Sequence, residues 1–322
     1  MPKLQDEIIK HTGVSEVVKV QSVQTLWSGY GEIKRYFLRG GKYSSIIVKD
    51  IRWPDKINHP RGWNTELSHR RKLKSYQVEK NWYQNFSLLT NDSCKVPRIF
   101  QAMEEEGRVL LIMEDLDQSG YNIRLEPESV ILDDAKNSLS WLAHFHAVFM
   151  GKDPQGLWSM GTYWHLATRP DEWKKMGNVL LKNAARDIDR HLSNAQFQTL
   201  VHGDAKLANF CFSEKGDIAA VDFQYVGKGC GMKDVAYFIS SCFSEEECGK
   251  YEEELITHYF EQLKTSLSKE FDFELIKKEW AELYKYAWAD FYRFLDGWSP
   301  EHWKMHDYSK RLAEQAIKEL AK

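Results

Sequence analysis

Short apolar runs with alternating polar positions occupy the first third of the chain. Each run is about four to eight residues long and ends near Gly, Pro or acidic residues, which is typical of β-strands. Candidate strands are Val17–Val23, which leads into a turn containing Gly29 and Gly31, the segment on the far side of that turn, Ser44–Ile51, VPRIFQAM and RVLLIMEDL. Apolar positions with helical spacing run from about Thr65 to Leu88. The pattern predicts a small lobe of five strands and one helix.

Helical periodicity dominates the rest of the chain, beginning near Glu128 with segments such as SLSWLAHFHAVF. The stretch LDQSGYNIRLEP that precedes it is typical of a linker. One β-rich island, VHGDAKLANFCFSEKGDIAAVDFQ, interrupts the helices. We therefore predict a bilobal α+β protein, with an N-terminal nucleotide-binding lobe at residues 1–116 and a larger, mainly helical lobe for catalysis and acceptor binding at residues 117–322.

Composition supports two globular lobes and narrows the range of partners. The chain has 322 residues, 43% of them hydrophobic and 28% charged, and a single core usually stops growing at roughly 250–300 residues. The net charge is −3 and the basic residues are spread out, which argues against a nucleic-acid partner. Without an apolar leader, a membrane-length apolar run or C-x-x-C spacing among the five Cys, we expect a cytoplasmic protein with reduced thiols and no membrane partner.

The strongest chemical signal is the loop His202-Gly203-Asp204-Ala205-Lys206-Leu207-Ala208-Asn209, followed by Asp222-Phe223-Gln224. Phosphoryl transfer needs a carboxylate that orients the attacking hydroxyl and hard oxygen ligands for Mg²⁺. A turn at Lys215–Asp217 and the strand after it return the chain toward the loop. We therefore expect the carboxylates of Asp204 and Asp222 to point toward one site.

These residues resemble the protein-kinase-like superfamily, in particular its aminoglycoside phosphotransferase and choline kinase branch. The segment VHGDAKLANF…AAVDFQYVGKGCGMKDVAYF is most similar to the ecdysteroid-kinase-like (CHK-kinase-like) family. The matching features follow the same order along most of the chain, and the specific motifs fall within this stretch of about 40 residues. It implies a protein-kinase-like fold with ATP and Mg²⁺ as cofactors, the nucleotide lying between the lobes.

The resemblance also implies roles for individual residues. Asp204 would be the catalytic base, and Lys206 would neutralise the transferring γ-phosphate. Asn209 and Asp222 would hold Mg²⁺. A rival interpretation, a metal hydrolase built on the same loop, lacks a second His at ligand spacing.

Two further positions would support the loop. His202 would have a structural role, and Asp234, in GMKDVAYF, would brace the loop from the start of a helix.

The first lobe carries the nucleotide-binding residues that the resemblance implies. Lys49, at the end of the strand IIVK, would contact the phosphates and pair with Glu79 on the following helix, with Glu66 as the second choice. Gly29 and Gly31 match a glycine-rich nucleotide loop only in part, since the third Gly is missing.

The adenine site would lie between the lobes. Met113, Glu114 and Leu116 form the hinge that this resemblance implies, and its main chain would hydrogen-bond the base.

The acceptor is expected to be a small-molecule alcohol. Asp234 lies only twelve positions after Asp222, and no A-P-E motif is present. This interval is too short for the long peptide-binding segment that follows the second Asp in protein kinases. A nucleotide-binding pseudokinase is the alternative from another class.

The aromatic stripe Trp280, Tyr284, Trp288 and Tyr292 leaves the acceptor's chemistry open. The stripe is typical of a core-packing face. It is also compatible with a choline- or ethanolamine-type ammonium cage that includes Asp290 and Asp296, or with a site for a flat apolar alcohol.

Overall fold

Strands of the first third pair into one antiparallel sheet in the order β1-β2-β3-β5-β4. The strands are β1 Glu16–Thr25, β2 Gly31–Arg39, β3 Ser45–Arg52, β4 Ile99–Glu105 and β5 Arg108–Glu114. This is a computed structural model, and it describes residues 4–26, 29–53, 65–105 and 107–322. The five predicted strands are confirmed as an antiparallel sheet.

Alternation along β3 decides which face each of its side chains occupies. Ile46 and Val48 pack into the hydrophobic core with Leu110, Ile112 and the N-terminal helix α1, Leu4–Thr12, which the sequence pattern did not predict. Because successive strand residues point to opposite faces, Lys49 lies on the other side of the sheet.

Helix α2, Glu66–Asn85, is the predicted helix of the first lobe. Thr65 caps its N-terminus by accepting a hydrogen bond from the Ser68 amide. Trp82 lies on its buried face and stacks on Phe223 with ring centroids 4.5 Å apart. The helix is therefore held by aromatic packing.

Helices make up most of the second half, as predicted. They are α3 Leu132–Val148, α4 Pro170–Lys175, α5 Val179–Ser193, α6 Met232–Cys242, α7 Glu245–Ser266, α8 Phe273–Trp298 and α9 Asp307–Leu320. Short strands lie among them: β6 Thr199–Val201 pairs with β9 Gly227–Gly229, and β7 Phe210–Phe212 pairs with β8 Ile218–Ala220. The ribbon of β7 and β8 lies within the predicted β-rich island, and the ribbon of β6 and β9 borders it on either side.

Two compact units divide the chain. One comprises Met1–Asn91, Lys95–Ile123 and Cys211–Gln224, and the other Asp92–Cys94, Arg124–Phe210 and Tyr225–Lys322. The single boundary near residue 116 stays a prediction. Among the described residues, the helices are all too short or too polar to span a membrane.

The aromatic stripe of α8 belongs to the helical core. Trp280 and Trp288 are 0% and 1% exposed. Asp290 is fully buried and bonded to Arg293, while Asp296 accepts the backbone amide of Asn178. The burial of Trp280, Tyr284 and Trp288 supports the core-packing interpretation, whereas Tyr292, the last residue of the stripe, is half-buried.

Candidate active site

The H-G-D loop follows β6 and is fixed by backbone geometry that only glycine fits. Gly203 has φ +78°, and a Cβ there would lie 2.1 Å from the Tyr225 carbonyl oxygen. Asp234 accepts the backbone amides of His202 at 2.6 Å and Gly203 at 3.0 Å. The start of α6 therefore holds the loop directly.

A buried histidine extends this support to α3 and α7. His146 Nε2 lies 3.1 Å from Asp234 Oδ2, and its Nδ1 lies 2.8 Å from the Tyr259 hydroxyl. Both His146 and Asp234 are 0% exposed. His146 was not among the predicted site residues, because a histidine on an apolar helix face carries no local signal for such a partner.

A strained residue borders the same loop. Thr162 is buried with φ +93°, a conformation that β-branched residues rarely adopt. Its amide donates to the Tyr225 carbonyl at 3.1 Å, and the next amide, of Tyr163, donates to Gly203 O at 3.1 Å. Such strain concentrates at functional sites, where neighbouring structure holds it in place.

The Asp204 carboxylate is surrounded by donors. Tyr237 Oη donates to Oδ1 at 3.1 Å, Lys206 Nζ to Oδ2 at 3.1 Å, and Asn209 Nδ2 to Oδ2 at 3.2 Å. Asp204 is only 6% exposed. Tyr237 was not among the predicted site residues, although it lies three positions after Asp234 in GMKDVAYF.

Asn209 is oriented by its amide nitrogen. Nδ2 also donates to the Asp204 carbonyl at 2.7 Å. No hydrogen bond links Asn209 Oδ1 to another residue of the described chain, so this oxygen is the atom available to a cation. His202 is buried beside Phe210 and Trp141, as a structural role requires.

The second cluster lies on the sheet and α2. Lys49 Nζ donates to both Glu79 carboxylate oxygens, at 2.9 and 2.7 Å, and lies 3.8 Å from Asp222 Oδ1. Burial lowers the pKa of Lys49, but Glu79 and Asp222 outweigh burial and raise that pKa overall. Lys49 is therefore a buried ammonium. Glu66, the second choice, instead pairs with Arg70 at the exposed start of α2.

Asp222 itself adopts the left-handed region, with φ +70°. Asp tolerates this conformation better than most non-glycine residues. Gln224 Nε2 donates to Asp222 Oδ1 at 2.6 Å, which ties the carboxylate to the residue that stands where D-F-G has glycine. The side chain of Asp222 remains about one third exposed, at 34%.

The glycine turn lies beside a shallow cavity. Gly29 and Gly31 have φ +77° and +134°, and a Cβ on Gly31 would lie 2.0 Å from the Asp50 carbonyl oxygen. The cavity has a volume of about 340 Å³ and is lined by Thr25, Gly29, Gly31, Glu32, Asp50 and Arg52. Trp27 and Ser28 of the turn lie outside the described residues.

Met113 and Glu114 are the last two residues of strand β5, and Leu116 lies just beyond it. The Glu114 carboxylate accepts from Lys95 Nζ at 3.1 Å and from the Arg98 amide at 2.9 Å. The Leu116 carbonyl accepts from the Tyr121 amide at 2.9 Å. Hydrogen bonds therefore fix the end of β5 and the turn that follows it.

Among the described residues, no three His, Cys, Asp or Glu side chains form a group that could hold a metal ion.

Solved structures share the fold. An amicoumacin kinase in complex with AMP-PNP and Ca²⁺ is 14% identical, with a TM-score of 0.55 over 98% of this chain and 92% of that one. An aminoglycoside phosphotransferase in ternary complex with ADP and hygromycin B is 11% identical (TM-score 0.51, 99% of each chain). An aminoglycoside 2′-phosphotransferase-IIIa in its GDP complex is 9% identical (TM-score 0.52, 98% of this chain and 97% of that one).

Sequence comparison identifies the family. No curated protein matches the chain. The model of the ecdysteroid kinase-like family matches residues 65–152 and 160–270, which is more than half of the chain and includes the loop of Asp204. This chain, with its protein-kinase-like α+β fold, belongs to the ecdysteroid kinase-like family.

Proposed function

We propose that the protein is an ATP-dependent phosphotransferase that transfers the γ-phosphate to a hydroxyl group of a small molecule. The Asp204 carboxylate carries the proposal, because it is buried and fixed by three side-chain donors. A carboxylate fixed in this way can orient an alcohol O–H and take its proton as the new P–O bond forms. Lys206, beside it, would spread the charge that develops on the transferred phosphoryl group.

Lys49 is the residue that we assign to the phosphates of ATP. Its pairing with Glu79 fixes the ammonium against α2 while keeping it charged. Backbone amides near Gly29 and Gly31 would approach the phosphates, since neither residue has a Cβ. The main chain of Met113, Glu114 and Leu116 would hold adenine.

Asn209 and Asp222 are the residues that we assign to Mg²⁺. Their side chains offer an amide oxygen with no described partner and a carboxylate in a constrained conformation, which fits the preference of Mg²⁺ for hard oxygen ligands. When bound, Mg²⁺ would neutralise phosphate charge. Complexes of related folds with AMP-PNP, ADP and GDP support a purine nucleotide as donor.

A small acceptor is favoured over a protein. The segment from Tyr225 to Asp234 is mostly buried, and β9 within it pairs with β6. It therefore presents no exposed platform for a peptide. The named small molecule in the related ternary complex, hygromycin B, is consistent with this class of acceptor.

The test is ADP release from ATP and Mg²⁺ in the presence of a panel of alcohols and amino alcohols. Acceptor-dependent ADP release is expected, and Asp204→Asn should reduce it by about three orders of magnitude while sparing ATP binding. Asp153→Asn, which changes an exposed carboxylate, is the matched control. Equal turnover in the Asp204 variant would contradict the assignment. Nucleotide binding without turnover would favour the pseudokinase alternative.

A further inference from the structure

Lys304 is a buried cation that the proposed reaction leaves unexplained. It lies between α8 and α9, is 7% exposed, and has no ion pair or side-chain hydrogen bond to another described residue. Its Nζ lies over three aromatic rings, 4.7 Å from the centroid of Tyr237, 5.6 Å from Phe291 and 5.4 Å from Trp303. A buried ammonium without an anion is costly, and aromatic faces offset only part of that cost.

The backbone around Lys304 is fixed, which limits where the ammonium can go. The Lys304 amide donates to His302 Nδ1 at 3.2 Å, and its carbonyl accepts from Ser309 Oγ at 2.9 Å. These bonds fix the main chain on both sides of the Lys304 Cα. The side chain leaves this fixed backbone and places its ammonium among the three rings.

One side chain, Tyr237, contacts both this ammonium and the carboxylate that we assign as the base. Its ring lies under the Lys304 ammonium, and its hydroxyl donates to Asp204 Oδ1. Burial lowers the pKa of Lys304 to about 7, while the Asp204 carboxylate raises it and Lys206 lowers it further. Trp303, the third ring, is 52% exposed and so marks the solvent-facing side of the group.

We propose that Lys304 is a specificity-determining residue of the acceptor site, which selects an alcohol carrying an anionic group and rejects cationic alcohols. The proposal rests on the proposed kinase function and adds the acceptor class. An anionic group would supply the partner that Lys304 lacks. The ammonium group of a cationic ligand would be repelled, because the three aromatic rings that could bind it already surround the Lys304 ammonium.

Binding of three matched four-carbon probes tests the charge preference without requiring turnover. The probes are 4-hydroxybutyrate, 1,4-butanediol and 4-amino-1-butanol, titrated by calorimetry into the full chain with Mg·AMP-PNP. We expect 4-hydroxybutyrate to bind best, and Lys304→Met to weaken that binding by about tenfold or more, as for a lost hydrogen bond to a charged group. Lys304→Arg should retain most of it. Lys310→Met, which changes an exposed lysine on α9, is the control.

Charge reversal and pH separate a binding role from a structural one. Lys304→Glu should shift the preference toward 4-amino-1-butanol. The wild-type preference for 4-hydroxybutyrate should fade between pH 6 and 8.5 as Lys304 deprotonates. The other groups that act on Lys304 are Asp204, Lys206, Cys242 and Cys248, and burial raises the pKa of both thiols, which stay neutral in this range.

The proposal is overturned if none of the probes binds, if 4-amino-1-butanol binds the wild type best, or if Lys304→Met leaves the preference unchanged. Affinity for Mg·AMP-PNP alone verifies that each variant is folded. Failure here leaves acceptor-dependent ADP release intact, whereas failure of the kinase proposal appears as an Asp204 variant with full turnover.

Discussion

The side-chain amide of Gln224 donates a hydrogen bond to Asp222, with Nε2 2.6 Å from Oδ1. Its other end is fixed as well, because Oε1 accepts from Lys72 Nζ at 2.9 Å and from Ser75 Oγ at 3.2 Å on α2. Gln224 thus connects the carboxylate that we assign to Mg²⁺ with the helix that carries Glu79. A glycine at this position supplies no such link.

Loss of this link should weaken metal-dependent nucleotide binding. Gln224→Ala frees the Asp222 carboxylate, and we expect the Kd for Mg·AMP-PNP to rise by about tenfold, as for a lost hydrogen bond to a charged group. Calorimetry with and without Mg²⁺ measures the effect. Gln196→Ala changes an exposed glutamine and should have none. Equal loss of affinity with and without metal would show that Gln224 acts only on the fold.

Tyr237→Phe should slow the chemical step. The hydroxyl donates to Asp204 Oδ1 and so orients the carboxylate, and without it we expect kcat to fall by about tenfold, as for a lost hydrogen bond to a charged group, while the Kd for Mg·AMP-PNP stays the same. Burial raises the pKa of Tyr237 itself well above its ordinary value, so this donor stays protonated. The measurements are kcat and calorimetric nucleotide binding, with Tyr292→Phe as the control. An unchanged kcat would argue against a role of Tyr237 in orienting Asp204.

Variants of Lys49 and Glu79 can distinguish an effect on folding stability from an effect on ATP binding. Lys49→Met leaves a buried carboxylate unpaired and should cost about 3–5 kcal/mol of unfolding free energy. The double variant Lys49→Met/Glu79→Met removes both charges and should recover much of that stability. Denaturant unfolding measures the recovery, and calorimetry measures ATP binding. Recovered stability together with recovered ATP binding would contradict the role of Lys49 on the phosphates.

Lys304 should make stability depend on pH in a defined direction. Burial lowers its pKa from 10.5 to about 7, so between these values the unfolded chain holds a proton that the folded chain lacks. Wild-type stability should therefore rise with pH across this window, and the cost of burying the ammonium is fully present below pH 7. Lys304→Met should be most stabilising, relative to wild type, below pH 7.

Unfolding midpoints at pH 6 and pH 9 measure this effect. Lys310→Met should shift both midpoints equally, because that lysine is exposed. A Lys304→Met difference that is the same at both pH values would show that the lysine titrates normally.

Features that depend on local order could be predicted from the chain alone. Alternation predicted the five strands of the sheet, because a strand period is visible within a few residues. The loop of Asp204 and Asn209, followed by Asp222, resembles a kinase-like motif, and that resemblance implied phosphotransfer chemistry.

The side chains around Asp204 could be identified only from the folded chain. Tyr237 bonds to Asp204, 33 positions away in the chain, and His146 contacts Asp234, 88 positions away. Lys304, between α8 and α9, contacts the Tyr237 ring of α6. Contacts of this separation arise from helix packing and leave no periodic trace in the chain. The sequence therefore indicates the kind of reaction, while the packing of α6, α8 and α9 determines the surroundings in which the base would work.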